Sequence, residues 1–130
     1  MSFGPTSPAT TMNRQQELSQ LEQVAVVLDQ LEAHRIFLVT DAGAWNLSGA
    51  AERLSPSLAK HEVTIFADFE PNPKLPDVLR GMEAFQQAQV DVVLAVGGGS
   101  VIDTAKLINR TAYICKFFFI CIMKIKLLGI

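Results

Sequence analysis

Three short apolar runs along the chain predict strands, and the first and last of them are typical of strands that are buried on both faces of a parallel sheet. They occupy residues 36–40, 63–66 and 92–96, and each contains several β-branched residues. Each run is followed by a segment that favours a helix, and the connections are long enough for parallel crossovers. The pattern therefore predicts an α/β fold, a Rossmann-like parallel sheet with flanking helices.

Ahead of the first strand, apolar residues recur at three- and four-residue spacing and predict an amphipathic helix over about 14–33. Packing on the neighbouring sheet is the favoured use of its apolar face, and binding to a partner is the alternative. Residues 1–13 are interpreted as a flexible N-terminal arm, because they are rich in Pro, Ser and Thr and contain no apolar run suited to a signal peptide. Residues 14–110 are interpreted as a partial α/β domain.

Residues 111–130 depart from this pattern, and they are interpreted as an atypical apolar and lysine-containing tail. They hold three lysines and no acid, whereas residues 1–110 hold all 13 acids. The longest charge-free run, residues 117–123, is far shorter than the roughly 20 residues that cross a bilayer. A strand is a better interpretation, and the abrupt change in composition also suggests sequence that continues past a truncation or frameshift.

Charge and cysteine content narrow the classes of function and location. The 11 Lys and Arg residues balance 13 Asp and Glu residues, so a nucleic-acid partner is not expected. Both cysteines, Cys115 and Cys121, lie in the tail and form neither a disulfide framework nor a metal-binding spacing. A reducing, cytoplasmic location is expected. His34 and His61 stand alone in the sequence and are interpreted as surface residues rather than metal ligands.

The third strand leads directly into three glycines, Gly97, Gly98 and Gly99, and a helix is predicted to begin immediately after them. Ser100 is a natural N-cap, and Asp103 would complete a short capping box. The first turn of a helix has unpaired N–H groups and partial positive charge, and glycine lets a phosphate approach them closely. A diphosphate site is therefore predicted. The alternative is a tight turn that needs glycine for a positive φ and binds nothing.

Two more polar side chains follow strands at the same predicted edge of the sheet. Asp41 follows the first strand, where a carboxylate can accept hydrogen bonds from both hydroxyls of a ribose and repel a 2′-phosphate. It can equally stabilise its own turn or cap the next helix. Asn72 lies between two prolines in a turn, and from the residues alone a bond to its own backbone is favoured over one to a cofactor.

Taken together, these motifs closely resemble the iron-containing alcohol dehydrogenase family over residues 36–108. The shared features are an acid after the first strand, a Pro-Asn-Pro turn after the next, and Gly-Gly-Gly-Ser-x-x-Asp-x-x-Lys after the third. The resemblance implies that residues 14–110 bind NAD or NADP. Asp41 would contact the adenosine ribose, an arrangement that favours NAD over NADP, and Asn72 would contact the cofactor. The residues that would line the diphosphate are Gly97, Gly98, Gly99, Ser100 and Val101.

The chain also departs from the family pattern. Family members bind their metal, usually Fe(II) and sometimes Zn(II), through one Asp and three His in a following all-helical domain. Nothing after Ile108 resembles that domain, or the Thr-Thr-rich loop that helps to hold the nicotinamide half of the cofactor. The resemblance thus implies a truncated member with no catalytic residue and no metal ligand of its own. Full-length members interconvert alcohols with aldehydes or ketones, and this chain alone is expected to be inactive.

Two alternatives stay open at this point. One is a relative of dehydroquinate synthase or glycerol dehydrogenase, which share the fold and a similar glycine turn. The other is a non-catalytic nucleotide-binding fragment. Asp103 and Lys106 match the family motif but are interpreted first as a helix cap and its i,i+3 partner. A homodimer is possible by resemblance, and a three-stranded sheet would leave an unpaired edge and a bare apolar face.

Overall fold

The computed structural model describes residues 15–18, 20–47, 49–67, 74–110 and 116–121. Within these ranges the chain forms a parallel sheet whose strands lie in the order β1-β5-β4-β2-β3. The predicted α/β architecture is confirmed. The elements in chain order are β1 (Gln15–Glu17), α1 (Gln23–Leu31), β2 (Arg35–Thr40), α2 (Ala42–Leu47), α3 (Ala50–Leu58), β3 (Glu62–Phe66), α4 (Leu75–Ala88), β4 (Val92–Gly97), α5 (Gly99–Asn109) and β5 (Lys116–Cys121).

Helices cover both faces of the two neighbouring strands β2 and β4, which explains why residues 36–39 and 92–96 are continuous apolar runs. On one face, α1 and α3 pack through residues such as Leu28 and Leu54 against Leu38. On the other face, α4 and α5 pack on the sheet in a cluster that contains Phe37 of β2 and Phe85 of α4. The rings of Phe37 and Phe85 meet edge to face with their centroids 5.4 Å apart. This double cover holds β2 and β4, and the turns at their ends, in a fixed arrangement.

The register of β2 and β4 is held at their amino ends by Asp91. Its two carboxylate oxygens accept hydrogen bonds from the backbone N–H groups of His34 and Arg35, each at 3.1 Å. In return, the N–H of Asp91 donates to the carbonyl of Arg35 at 3.0 Å. The paired strands then run side by side to Thr40 and Val96 at their carboxyl ends.

The expectation of three strands was wrong, because the sheet has two further strands. The expected bare apolar face was wrong as well, because helices cover both faces of β2 and β4. Lys116–Cys121 pairs in parallel with β4 on one side and with β1 on the other. The run is rich in aromatic and β-branched residues, which favour a strand, and α5 supplies the crossover that parallel pairing requires. The sheet therefore joins residues on both sides of position 110. The domain divisions at residues 13 and 110 stay predictions.

The helix expected over 14–33 is shorter in the structure. Residues 15–17 form β1 instead, because their backbone pairs with residues 117–119, a contact that local periodicity does not reveal. The helix ends at Leu31, within two residues of the predicted end, and its C-cap Glu32 adopts a left-handed conformation with φ of 53°. The segment after β2, which favours a helix, contains α2 and α3, and Pro56 lies within α3. None of the helices in the described ranges is both long and apolar enough to span a membrane.

Candidate functional site

The carboxyl ends of parallel strands meet at one edge of a sheet, and ligands of open α/β folds bind there. Because β2 and β4 are neighbours, this edge places Asp41, which comes after β2, beside the glycine turn at the end of β4. The structure thus brings Asp41 and the residues Gly97 to Val101 to the same region. Asn72 lies outside the described residues.

The three glycines of the turn do not adopt the backbone conformation that would require glycine. Gly98 is extended, with φ of −88° and ψ of −165°, and neither Gly97 nor Gly99 has a positive φ. A left-handed turn is therefore excluded as the reason for the run of glycines. The alternative interpretation, a turn that needs glycine for positive φ, was wrong.

Close packing explains why residue 97 is glycine, but it does not explain the next two glycines. A Cβ atom built on Gly97 would lie 2.6 Å from Cγ2 and 2.8 Å from Cβ of the buried Val101, so strand and helix approach too closely for a side chain. A Cβ atom on Gly98 or on Gly99 would meet no atom within 4 Å. Gly97 is thus explained by packing, whereas neither conformation nor packing accounts for Gly98 and Gly99.

Helix α5 begins earlier than predicted. Its N-cap is Gly98, and its first intrahelical bond runs from the N–H of Ile102 to the carbonyl of Gly98 at 3.1 Å. Ser100 lies inside the first turn, and no side chain caps the helix, so the predicted N-cap at Ser100 and the capping box with Asp103 were wrong. The physical reason is that the extended backbone of Gly98 already has the N-cap conformation.

This start leaves backbone donors at the turn. The N–H groups of Gly99 and Val101 precede the first intrahelical bond, where a helix has no carbonyl of its own to offer them. The positive end of the helix dipole lies at the same place. The helix is held firmly, because Val101, Ala105 and Ile108 are buried against the sheet. Chemically, the turn can accept an anionic group close to the main chain.

Asp41 serves as the N-cap of α2 and is exposed. Its Oδ1 atom accepts a hydrogen bond from the N–H of Gly43 at 2.9 Å, and its carbonyl accepts one from the N–H of Trp45 at 2.7 Å. The expectation that Asp41 caps the next helix is therefore confirmed. Within the described part of the chain, Oδ2 accepts no hydrogen bond. The capping role holds the carboxylate in place without using its second oxygen, and a ribose contact stays a prediction.

Sequence reasoning overlooked Thr40, the last residue of β2. Thr40 is fully buried, and its hydroxyl donates a 2.7 Å hydrogen bond to the carbonyl oxygen of Val96 on β4. The available signal was a hydroxyl at the final position of an otherwise apolar strand. This bond lies one residue ahead of both Asp41 and Gly97.

Metal-ligating side chains do not gather at this edge. Among the described residues, no three His, Cys, Asp or Glu side chains lie close enough together to hold a metal ion. His34 is exposed, as expected for a surface residue, whereas His61 is partly buried at the opposite edge of the sheet, where it precedes β3. The described residues do not fit an iron site.

Comparison with known proteins gives a consistent picture. The family model for iron-containing alcohol dehydrogenases matches residues 12–122. The NAD-dependent methanol dehydrogenase of Bacillus methanolicus is 32% identical over 107 residues, which cover 81% of this chain and 27% of that protein. The chain spans about a quarter or less of the length of the curated relatives that it matches.

Solved structures show the same likeness. An NADH-dependent butanol dehydrogenase A from Thermotoga maritima superposes with a TM-score of 0.67 at 26% identity, covering 77% of this chain and 26% of that one. A sulfoacetaldehyde reductase from Bifidobacterium kashiwanohense, solved in complex with NAD+, superposes with a TM-score of 0.60 at 26% identity, covering 70% of this chain and 24% of that one. The fold at the candidate site is thus one that solved relatives share.

Proposed function

Because the chain belongs to the iron-containing alcohol dehydrogenase family, we propose that it is the nucleotide-binding part of an NAD(P)-dependent alcohol dehydrogenase. The reaction would interconvert an alcohol with an aldehyde or ketone. Relatives named NADH-dependent butanol dehydrogenase and NAD-dependent methanol dehydrogenase support this assignment. The chain itself would contribute binding of the cofactor.

The observation that carries the proposal is the open space at Gly98 and Gly99. These two residues have no conformational or packing reason to lack a side chain, and they lie where α5 presents its first-turn N–H groups. A diphosphate needs both features, since its oxygens must come within hydrogen-bond distance of main-chain donors. The proposed diphosphate site comprises Gly97, Gly98, Gly99, Ser100 and Val101.

The proposed adenosine ribose ligand is Asp41. Its carboxylate is held beside the turn by the N–H of Gly43, and its Oδ2 atom faces no described donor. A carboxylate accepts hydrogen bonds from the two ribose hydroxyls of NAD, and it repels the extra 2′-phosphate of NADP. NAD is therefore the proposed cofactor, with NADP disfavoured. Asn72 is proposed as a further cofactor contact on the strength of the family resemblance.

No catalytic residue is proposed in this chain. Hydride transfer needs a carbonyl that is held close to the nicotinamide and polarised, commonly by a metal ion. The described residues offer no group of metal ligands for that work. We propose that the chain alone binds the cofactor without turnover. A cytoplasmic location and a homodimer are proposed with it.

The experiment combines calorimetry with an activity assay on the 130-residue chain. Titration with NAD, NADP and ADP is expected to show binding, with NAD bound more tightly than NADP. An assay with Fe(II), NADH and short aldehydes is expected to give no rate above the protein-free blank. Absence of binding by all three nucleotides contradicts the proposed function. Turnover above the blank contradicts the assignment of a binding role alone.

A further inference from the structure

The buried hydroxyl of Thr40 links the two halves of the candidate site. The Thr40 hydroxyl donates to the carbonyl oxygen of Val96 at 2.7 Å, and neither residue is exposed. The two residues are direct partners in the register of β2 and β4. The bond is thus a cross-strand tie in an apolar setting, where a hydrogen bond is stronger than it is in water.

The position of this tie matters because each of its partners adjoins one half of the site. Asp41 comes directly after Thr40, and Gly97 comes directly after Val96. Beyond these residues the two strands end, and the backbone continues into α2 after β2 and into α5 after β4. The amino ends of the same strands are held by the carboxylate of Asp91. At the carboxyl ends, where the ligand would lie, Thr40 provides a side-chain tie between the described parts of β2 and β4.

We propose that Thr40 is a positioning residue that sets the spacing between the Asp41 carboxylate and the glycine turn. The inference rests on the proposed function, since it concerns a ligand that touches both points. A nucleoside diphosphate does so, with its ribose at Asp41 and its diphosphate at Gly98 and Gly99. Inorganic pyrophosphate touches the glycine turn alone. A change in spacing therefore weakens binding of the first ligand and leaves binding of the second unaltered.

The test compares Thr40→Val, which removes the hydroxyl at nearly constant volume, with Thr40→Ser, which keeps it. ADP and inorganic pyrophosphate are titrated into the full chain by calorimetry. Thr40→Val is expected to weaken ADP binding about fivefold, the worth of one typical hydrogen bond. The affinity of Thr40→Val for pyrophosphate is expected to match that of the unsubstituted chain. Thr40→Ser is expected to bind ADP as tightly as the unsubstituted chain does.

Thr104→Val is the matched control. Thr104 is equally buried, and its hydroxyl also donates a 2.7 Å hydrogen bond, in this case to the carbonyl of Ser100 within α5. In an α-helix that carbonyl also accepts the backbone N–H of residue 104, so the helix does not depend on the hydroxyl. The control removes a hydrogen bond of the same length without changing the course of the helix, and it is expected to leave ADP affinity unchanged.

Several outcomes overturn the inference. ADP binding that is indifferent to Thr40→Val shows that the tie does not set the spacing. An equal loss for ADP and pyrophosphate, or an equal loss in Thr104→Val, shows a general effect of stability. If the unsubstituted chain binds pyrophosphate but not ADP, the ligand does not span the two points. If it binds neither, the proposed function fails, and the positioning role fails with it.

Discussion

Substitution of Gly97 and of Gly99 by alanine is expected to change stability in opposite directions. At position 97 the new Cβ would lie within 3.0 Å of three atoms of Val101, a buried and rotationally stiff side chain. Overpacking of this kind costs about 1–3 kcal/mol. At position 99 the new Cβ meets nothing within 4 Å, and φ is not positive. Loss of backbone freedom in the unfolded chain then stabilises the fold by about 0.4–1 kcal/mol.

These free energies translate into measurable melting temperatures. For a domain of this size, 1 kcal/mol shifts the melting temperature by roughly 4 °C. Gly97→Ala is therefore expected to melt roughly 4–12 °C below the unsubstituted chain, and Gly99→Ala roughly 2–4 °C above it. Scanning calorimetry or fluorimetry of the three purified proteins measures both shifts.

Ligand affinity provides the second half of the prediction. A methyl group on residue 99 would occupy space proposed for the diphosphate and displace it from main-chain N–H groups. Loss of one hydrogen bond to a charged group costs about 1.5–3 kcal/mol, so ADP affinity is expected to fall at least about tenfold. The protein would then be more stable and yet bind less tightly. If Gly99→Ala binds ADP as the unsubstituted chain does, the space at this residue is not the diphosphate site. If Gly97→Ala melts no lower than Gly99→Ala, the close approach of Val101 is not what requires glycine.

Three further predictions concern the fold and its response to acid. Phe85→Ala is expected to lower the unfolding free energy by about 3–5 kcal/mol in urea titrations, because Phe85 is 4% exposed. Leu79 lies on the same helix but is 52% exposed, and Leu79→Ala is expected to change the unfolding free energy by less than about 0.5 kcal/mol. Similar losses for the two variants would contradict the assigned core. The backbone N–H of Lys74, together with the Arg80 guanidinium, holds the pKa of Asp77 below its usual value, so the carboxylate stabilises the fold above about pH 4 and this contribution is lost as pH falls through the lowered pKa. In Asp77→Asn, the unfolding free energy is expected to fall less steeply as the pH is lowered from about 6 to about 2. An unchanged pH dependence would refute the assignment. Phe118→Pro removes a backbone donor from the interior strand β5 and is expected to destabilise the sheet by about 3 kcal/mol or more, whereas an unchanged melting temperature would show that β5 does not pair as described.

Features that depend on neighbouring residues were predictable from the sequence. The predicted strands at 36–40, 63–66 and 92–96 differ from β2, β3 and β4 by at most one residue at either end. For β2 and β4, burial on both faces leaves a continuous apolar run in the sequence, which needs no knowledge of the partner strand. Most side chains of β3 are exposed, and this strand was predictable from its β-branched residues. The order of strand, glycine turn and helix at residues 92–109 was predictable for the same reason.

Features that depend on distant partners were not predictable in this way. β1 forms because residues 15–17 pair with residues 117–119, which lie about a hundred positions along the chain, and this pairing overrode a local helical pattern. The start of α5 was misplaced by two residues, because a side-chain cap was expected at Ser100, whereas the extended backbone of Gly98 supplies the N-cap conformation. Thr40 was overlooked because its acceptor, Val96, belongs to another strand.

The place of β5 in the sheet has a consequence for how the chain is made. Lys116–Cys121 inserts between β4 and β1, so the first of the described strands to leave the ribosome pairs with the last of them. Until residue 121 has been synthesised, β4 exposes backbone donors and acceptors on one side, and such an edge can recruit other chains. Contacts between residues so far apart also slow folding. The nascent protein is therefore expected to be vulnerable to aggregation until synthesis of this segment is complete, and to benefit from chaperones during that interval.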